Sequence, residues 1–182
     1  AAELGMSRTT FVTPNGLTYG AGPHDTTSAR DLAKLAVVLC RFPELLRLTS
    51  TKQYVFRRPG KPMDLLNHNH LLESFPGCDG LKTGWTNAAH ASMVTTAKQK
   101  DLRVVAVVLG CQSPGGAKPE QRLRDRVAAE LMSEGFTRLR QLEAEKALRA
   151  AKLPAIRPAP KAAPKPRKEE GFWDWLVDLF SF

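Results

Sequence analysis

Three consecutive residues carry the chemistry this chain can support: Lys82, Thr83 and Gly84, within Pro76-Gly77-Cys78-Asp79-Gly80-Leu81-Lys82-Thr83-Gly84-Trp85-Thr86. An ammonium, a hydroxyl and a residue without a side chain, on one extended segment, suit recognition of an anionic group beside a reacting bond. Lys82 places a fixed positive charge in a cleft, where it favours a deprotonated neighbour and helps hold a nucleophile. The hydroxyls of Thr83 and Thr86 can donate to a carboxylate. Gly84 lets a second backbone approach where a side chain would stand in the way. The nucleophile itself is missing. No Ser is followed three residues later by Lys, and no Ser-x-Asn occurs, so Ser28, Ser92 and Ser113 are not substitutes. His68, His70 and His90 do not have zinc-site spacing, and no acidic partner is suitably placed in the sequence. Neither a metal nor another cofactor is expected.

The elements that must position this run are read from periodicity and chain breakers. Residues 1–26 read as a helix end and irregular chain, with turn chemistry at Thr13-Pro14-Asn15-Gly16. Ser28, with Asp31 three residues on, resembles a capping box with a shorter acid. A helix follows with Leu32, Leu35, Ala36 and Leu39 on one face. Phe42-Pro43 stops it, and Pro43 opens a short second helix through Leu48. Residues 53–57 read as a strand ended by Pro59-Gly60. Leu71, Leu72 and residues 78–86 read as extended. Residues 91–98 and 102–110, joined by Gln99-Lys100-Asp101, read as a hairpin. Pro119 opens a helix that turns Leu123, Val127, Leu131 and Met132 inward, and the pattern stays helical but charged through 138–151.

Lys and Arg outnumber Asp and Glu by 27 to 18, a formal charge of +9. Residues 152–168 hold six of those cations, five Pro and no acid. Much of the excess therefore lies in a semi-rigid linker rather than on a folded face, and no nucleic-acid motif appears, which argues against a nucleic-acid partner. If helical, residues 171–182 put Asp174, Asp178 and Ser181 on one narrow stripe, and Phe172, Trp173, Trp175, Leu176, Val177, Leu179, Phe180 and Phe182 fill the rest. That segment is too short to span a bilayer and suits lying in its interface, with the basic linker compensating its acids. The competing reading docks it on its own domain. Residues 1–182 are read as containing neither a signal-peptide pattern nor an apolar run of the ~20 residues a span requires. Cys40, Cys78 and Cys111 form no CxxC pair and read as buried thiols.

The ordered set of segments resembles the D-alanyl-D-alanine carboxypeptidases, the low-molecular-mass penicillin-binding proteins. It begins with Glu3-Leu4-Gly5-Met6 through Phe11, Pro14 and Gly16-Leu17, and continues with Thr26-Thr27-Ser28-Ala29-Arg30-Asp31-Leu32-Ala33. Phe42-Pro43-Glu44 and Asn67-His68-Asn69-His70-Leu71-Leu72 follow at matching spacing. Asp79-Gly80-Leu81-Lys82-Thr83-Gly84-Trp85-Thr86 is close to DGxKTGxT, and Val107-Val108-Leu109-Gly110 and Glu134-Gly135-Phe136 complete the set. The resemblance covers about residues 1–140.

The resemblance implies an α/β fold, part of a penicillin-binding/β-lactamase-like domain with an antiparallel sheet flanked by helices. It implies an organisation of 1–140 as the C-terminal part of that domain, 141–170 as charged helix and linker, and 171–182 as a membrane anchor. The first two strands are expected upstream, leaving the strand at 102–110 with an open edge. The implied substrate is a peptidoglycan stem peptide ending in D-Ala-D-Ala, with β-lactams as inhibitors, on the periplasmic side of the cytoplasmic membrane. Lys82 would serve catalysis and binding, Thr83 with Thr86 would hold the terminal carboxylate, and Gly84 would admit the substrate backbone. Arg124 would face that carboxylate or be a solvated helix arginine; Trp85 would line the cleft or pack. The nucleophilic Ser, its Lys and the Ser-x-Asn serine are expected upstream of Ala1, so this chain alone is expected to be inactive. The other readings are a catalytically dead stem-peptide binding module and a β-lactamase.

Overall fold

The computed structural model describes residues 1–17 and 22–152. The expectations for the linker and for 171–182 lie outside the described residues. The chain divides into two units, Ala1–Ala147 and Leu148–Phe182; the described part of the second is the last turn of a long helix.

After a short 3-10 turn at Ala2–Leu4, the Ser28 hydroxyl caps helix α1 (Ala29–Leu39) by accepting the Asp31 N–H at 3.2 Å. The return half of the expected capping box is absent. The buried Asp31 carboxylate instead accepts the Arg8 N–H at 2.8 Å and the Thr9 hydroxyl at 2.9 Å, which fastens the N-terminal segment to α1. Burial acts to raise that carboxyl, but the two hydrogen bonds and the Lys34 charge outweigh it and hold it below its ordinary value. Helix α2 (Pro43–Thr49) starts at its proline, as expected.

Strand β1 (Gln53–Phe56) pairs with a strand the sequence reading missed, β2 (Met63–Leu66), as an antiparallel hairpin. Leu71 and Leu72 are not extended. They open the one-turn helix α3 (Leu71–Ser74), where the Asn69 side-chain oxygen accepts the Leu71 N–H at 3.1 Å.

Strands β3 (Cys78–Gly84), β4 (Ala91–Gln99) and β5 (Leu102–Cys111) form the main antiparallel sheet in the order β3-β4-β5. One face carries Met93, Ala97, Val104, Ala106 and Val108 and packs on Ala128, Met132 and Phe136 of helix α4 (Ala117–Lys152). Helix α1 lies against β4 and β5. The architecture is therefore α/β, an antiparallel sheet flanked by helices. Among the described residues β3 and β5 have one partner each, so both outer edges are open.

Along α4 the buried row is Glu120, Arg124, Ala128, Met132 and Phe136, a strict four-residue step. Leu131, expected inward, is 44% exposed. Gly135 lets α4 approach the sheet, since a Cβ there would lie 3.2 Å from Val104 Cγ1. The three cysteines are free, and each is half-buried rather than buried.

Candidate active site

The strand that carries the triplet is pinned at its start from four sides. Asp79 forms a two-pronged ion pair with Arg103 of β5, Oδ1 to Nη1 at 2.8 Å and Oδ2 to Nη2 at 2.7 Å, which reaches across β4. The Thr49 hydroxyl at the end of α2 donates to the Asp79 carbonyl at 2.7 Å. The Gly80 carbonyl accepts from the Thr95 hydroxyl at 2.8 Å and the Asn69 amide at 3.1 Å. Gly80 has no alternative residue, because a Cβ there would collide with the Thr49 hydroxyl. Asn67 completes the scaffold: its amide donates to the Thr49 and Thr51 carbonyls, and its oxygen accepts the Asn69 N–H at 2.9 Å. The two asparagines of Asn67-His68-Asn69-His70 thus join α2, α3 and β3.

Beyond this anchor the triplet runs along the open edge. The register pairs Lys82 with Val94 and Thr83 with Met93. Directly opposed residues share a face, so Lys82 stands on the α1 side and Thr83 on the α4 side. Lys82 is exposed, and its ammonium donates to the Thr83 carbonyl. Gly84 is exposed, and among the described residues nothing lies within 4 Å of where its Cβ would be.

Two depressions meet at this edge. On the α4 side, a groove of about 410 Å³ is lined by Leu66, Asn67, His68, Leu81, Lys82, Thr83, Gly84, Gln121 and Arg124. On the α1 side, an apolar cavity of about 490 Å³ is lined by the Leu32, Leu35, Ala36 and Leu39 face of α1, by Val94 and Leu109, and by Lys82 through Thr86. Lys82, Thr83, Gly84 and Arg124 therefore share one groove. Thr86 lines only the apolar cavity, and its hydroxyl already accepts the Ala89 N–H at 3.0 Å.

Arg124 is 2% exposed and so is not the solvated helix arginine. Its Nε and Nη2 donate to Asp125 Oδ1 at 2.9 and 2.7 Å, and Nη2 also meets the His68 carbonyl at 3.5 Å. The other Asp125 oxygen meets His70 Nδ1 at 2.9 Å. Asp125 and the His68 carbonyl thus fix the buried guanidinium at the wall of the groove.

A second network holds the segment after the triplet. Glu120, buried near the start of α4, accepts the Trp85 indole N–H at 2.7 Å on one oxygen and meets His90 Nδ1 at 2.9 Å on the other. Burial pushes the Glu120 carboxyl up, but the Trp85 and His90 bonds, the His90 charge and the Ser113 N–H outweigh it, leaving it below its ordinary value. Trp85 both packs and lines the apolar cavity. Spacing along the chain offers the histidines no acidic partner; in the fold His70 has Asp125 and His90 has Glu120.

A Lys-Thr-Gly strand with an open edge, facing a buried arginine on a helix-flanked antiparallel sheet, defines the penicillin-recognising class of serine acyl-transfer folds. Within it, the chain belongs to the Peptidase_S11 family, D-alanyl-D-alanine carboxypeptidase, which matches residues 1–113. It is 36% identical over 115 residues to D-alanyl-D-alanine carboxypeptidase DacF of Bacillus subtilis (strain 168), covering 63% of this chain and 29% of that one. It is 34% identical over 138 residues to D-alanyl-D-alanine carboxypeptidase DacC of Escherichia coli (strain K12), covering 75% and 31%. Among solved structures, penicillin-binding protein D2 of Listeria monocytogenes in its cefotaxime-bound form is similar with a TM-score of 0.60 at 34% identity, covering 74% of this chain and 51% of that one. The S216A mutant of Streptomyces K15 DD-transpeptidase is similar with a TM-score of 0.63 at 27% identity, covering 75% and 51%. The chain thus spans under a third of these curated relatives and about half of these solved chains.

Proposed function

We propose that this chain is the C-terminal part of a serine-type D-Ala-D-Ala carboxypeptidase that trims the terminal D-Ala from peptidoglycan stem peptides through an acyl-enzyme. The observation that carries the reading is the groove in which Lys82, Thr83 and Gly84 line an open strand edge with the buried Arg124 beside them. An extended stem peptide adds to that edge as a further strand, main chain to main chain. Gly84 leaves room for it. The Thr83 hydroxyl and Arg124 take the terminal carboxylate, with Thr86 supporting from the flank. Lys82 lends positive charge to the nucleophile's surroundings. A β-lactam, as an acylating mimic of the peptide, occupies the same edge; relatives in the solved set hold cefotaxime and ampicillin.

In this reading the attacking serine, its lysine and the Ser-x-Asn serine come from chain upstream of Ala1. Residues 171–182 hold the protein peripherally on the periplasmic face of the cytoplasmic membrane, and 141–170 act as the tether. The test is fluorescent-penicillin labelling of host membranes with an antibody to residues 171–182. A labelled band clearly larger than 20.0 kDa supports the reading. An unlabelled band at 20.0 kDa refutes it and leaves a stem-peptide binding module. In the complete enzyme, Lys82→Ala abolishes most turnover; turnover like the wild type would remove the role given to Lys82.

A further inference from the structure

Among the described residues, nothing covers one apolar face of the β1–β2 hairpin. Its register sets Tyr54 opposite Leu65 and Phe56 opposite Met63. Opposed side chains share a face and alternate along a strand, so these four form one continuous patch. They are 60%, 43%, 45% and 40% exposed in that order, and Leu48 of α2, which shares a depression with Tyr54 and Leu65, is 67% exposed. Asp64 pairs with Val55 and so stands on the opposite face.

The turn joining the strands is Arg57-Arg58-Pro59-Gly60-Lys61-Pro62, with three cations and no acid. Among the described residues none of those cations is in an ion pair. The Arg58 side chain fixes the turn by donating Nε to the Lys61 carbonyl at 3.1 Å.

A contiguous apolar patch rimmed by unpaired cations matches the headgroup layer of an anionic bilayer in both polarity and charge. Aromatic side chains such as those of Tyr54 and Phe56 suit the boundary between headgroup and acyl chain. A folded protein partner fits less well, since apart from the Tyr54 hydroxyl the patch offers no polar group to fix a partner's orientation. We propose that the hairpin is a membrane contact that seats the Tyr54, Phe56, Met63 and Leu65 face in an anionic phospholipid interface, with Arg57, Arg58 and Lys61 among the headgroups. The contact is independent of residues 171–182. Leu66, which lines the Lys82–Gly84 groove with Asn67 and His68, opposes Gln53 and so stands on the same face as Asp64, turned from the docked patch.

The test uses the full chain carrying Trp173→Ser and Trp175→Ser, with phosphatidylcholine vesicles containing or lacking phosphatidylglycerol. This background still partitions onto the phosphatidylglycerol vesicles. Phe56→Ser with Leu65→Ser lowers the partition roughly tenfold or more, from lost apolar burial. Arg57→Gln, Arg58→Gln and Lys61→Gln together lower it by a similar factor and weaken its salt dependence. All five side chains are exposed, and circular dichroism checks that each variant is folded. A Tyr54→Trp probe in the same background gains a blue-shifted emission on adding these vesicles. Equal partition for all variants, no partition of the background chain, or an unshifted probe overturns the proposal. So does a serine pair that turns a dimer into a monomer in sedimentation without changing partition, which would make the face a contact between copies.

Discussion

The ion pair between Asp79 and Arg103 is what ties the triplet strand to the far side of its sheet, and Asp79→Asn tests that. Two charge-assisted hydrogen bonds of 2.7 and 2.8 Å join the groups, and both side chains are 23% exposed. Charge-assisted bonds contribute about 1.5–3 kcal/mol when sheltered, and fully exposed pairs about 0–1 kcal/mol. A pair one-quarter exposed falls between, so the substitution costs about 1.5 kcal/mol, roughly a tenfold shift in the folding equilibrium. For a unit of this size that lowers Tm by about 3–6 °C. Asparagine is nearly isosteric and can keep one hydrogen bond, so the loss belongs to the charge and the second prong. Arg103 keeps its bond to the Thr96 hydroxyl at 2.9 Å and stays folded in place. Urea unfolding of the full chain, followed by circular dichroism, reads the stability. Hydrogen exchange in β3 reads where it is lost, with faster exchange expected there than in β4. Arg103→Lys does not restore a two-pronged contact, so it shows a similar deficit. An Asp79→Asn chain with an unchanged urea midpoint and unchanged β3 exchange would refute the anchoring role.

Four further outcomes follow from particular side chains. The Glu120 carboxyl lies below its ordinary 4.5 in the fold, so its stabilisation is full above that pH and is lost as pH falls through the lower folded value. Glu120→Gln therefore flattens the acid limb of a Tm-against-pH curve, and an unaltered acid limb would count against the Trp85–Glu120–His90 clamp. Phe136 is 1% exposed and stacks on Phe75 with centroids 6.4 Å apart, so Phe136→Ala costs about 3–5 kcal/mol by urea unfolding. Leu131→Ser, on the exposed side of the same helix, stays within about 0.5 kcal/mol of the parent chain. Burial pushes the Cys111 thiol above its ordinary 9.0 despite Arg124 nearby, so iodoacetamide modifies it more slowly at neutral pH than a free cysteine does.

What the sequence made legible was local. Ser28 caps α1, Pro43 opens α2, and the β4–β5 hairpin turns at Lys100, each set by a few neighbouring residues. The misses have a common cause. Met63-Asp64-Leu65-Leu66 has no β-branched residue and follows a proline; pairing with β1 makes it a strand. Leu71-Leu72 is an apolar run too short for periodicity to choose between strand and helix, and a distant requirement decides it. Asn69 must cap Leu71 while its amide holds Gly80. On α4, Met132 and Val127 pack inward as expected, but two members of the buried row, Glu120 and Arg124, are charged, and hydrophobicity alone selects Leu131 in addition.

The same distinction separates the two halves of the candidate site. Lys82, Thr83 and Gly84 are consecutive, so their chemistry can be read from the string. The groups that orient the segment after them come from far along the chain. Glu120 lies 35 residues from Trp85 and 30 from His90. The Arg124 guanidinium reaches the carbonyl of His68, 56 residues away. Both belong to the buried row of α4, one helical turn apart, so a single rigid element places the acid that clamps the loop and the cation that faces the groove. A charged residue on the core side of a helix is costly unless it is paired, and both are paired. Two buried charges four residues apart are thus the signal the sequence does contain for this half of the site. It becomes readable only when the buried face is chosen by its four-residue step rather than by hydrophobicity.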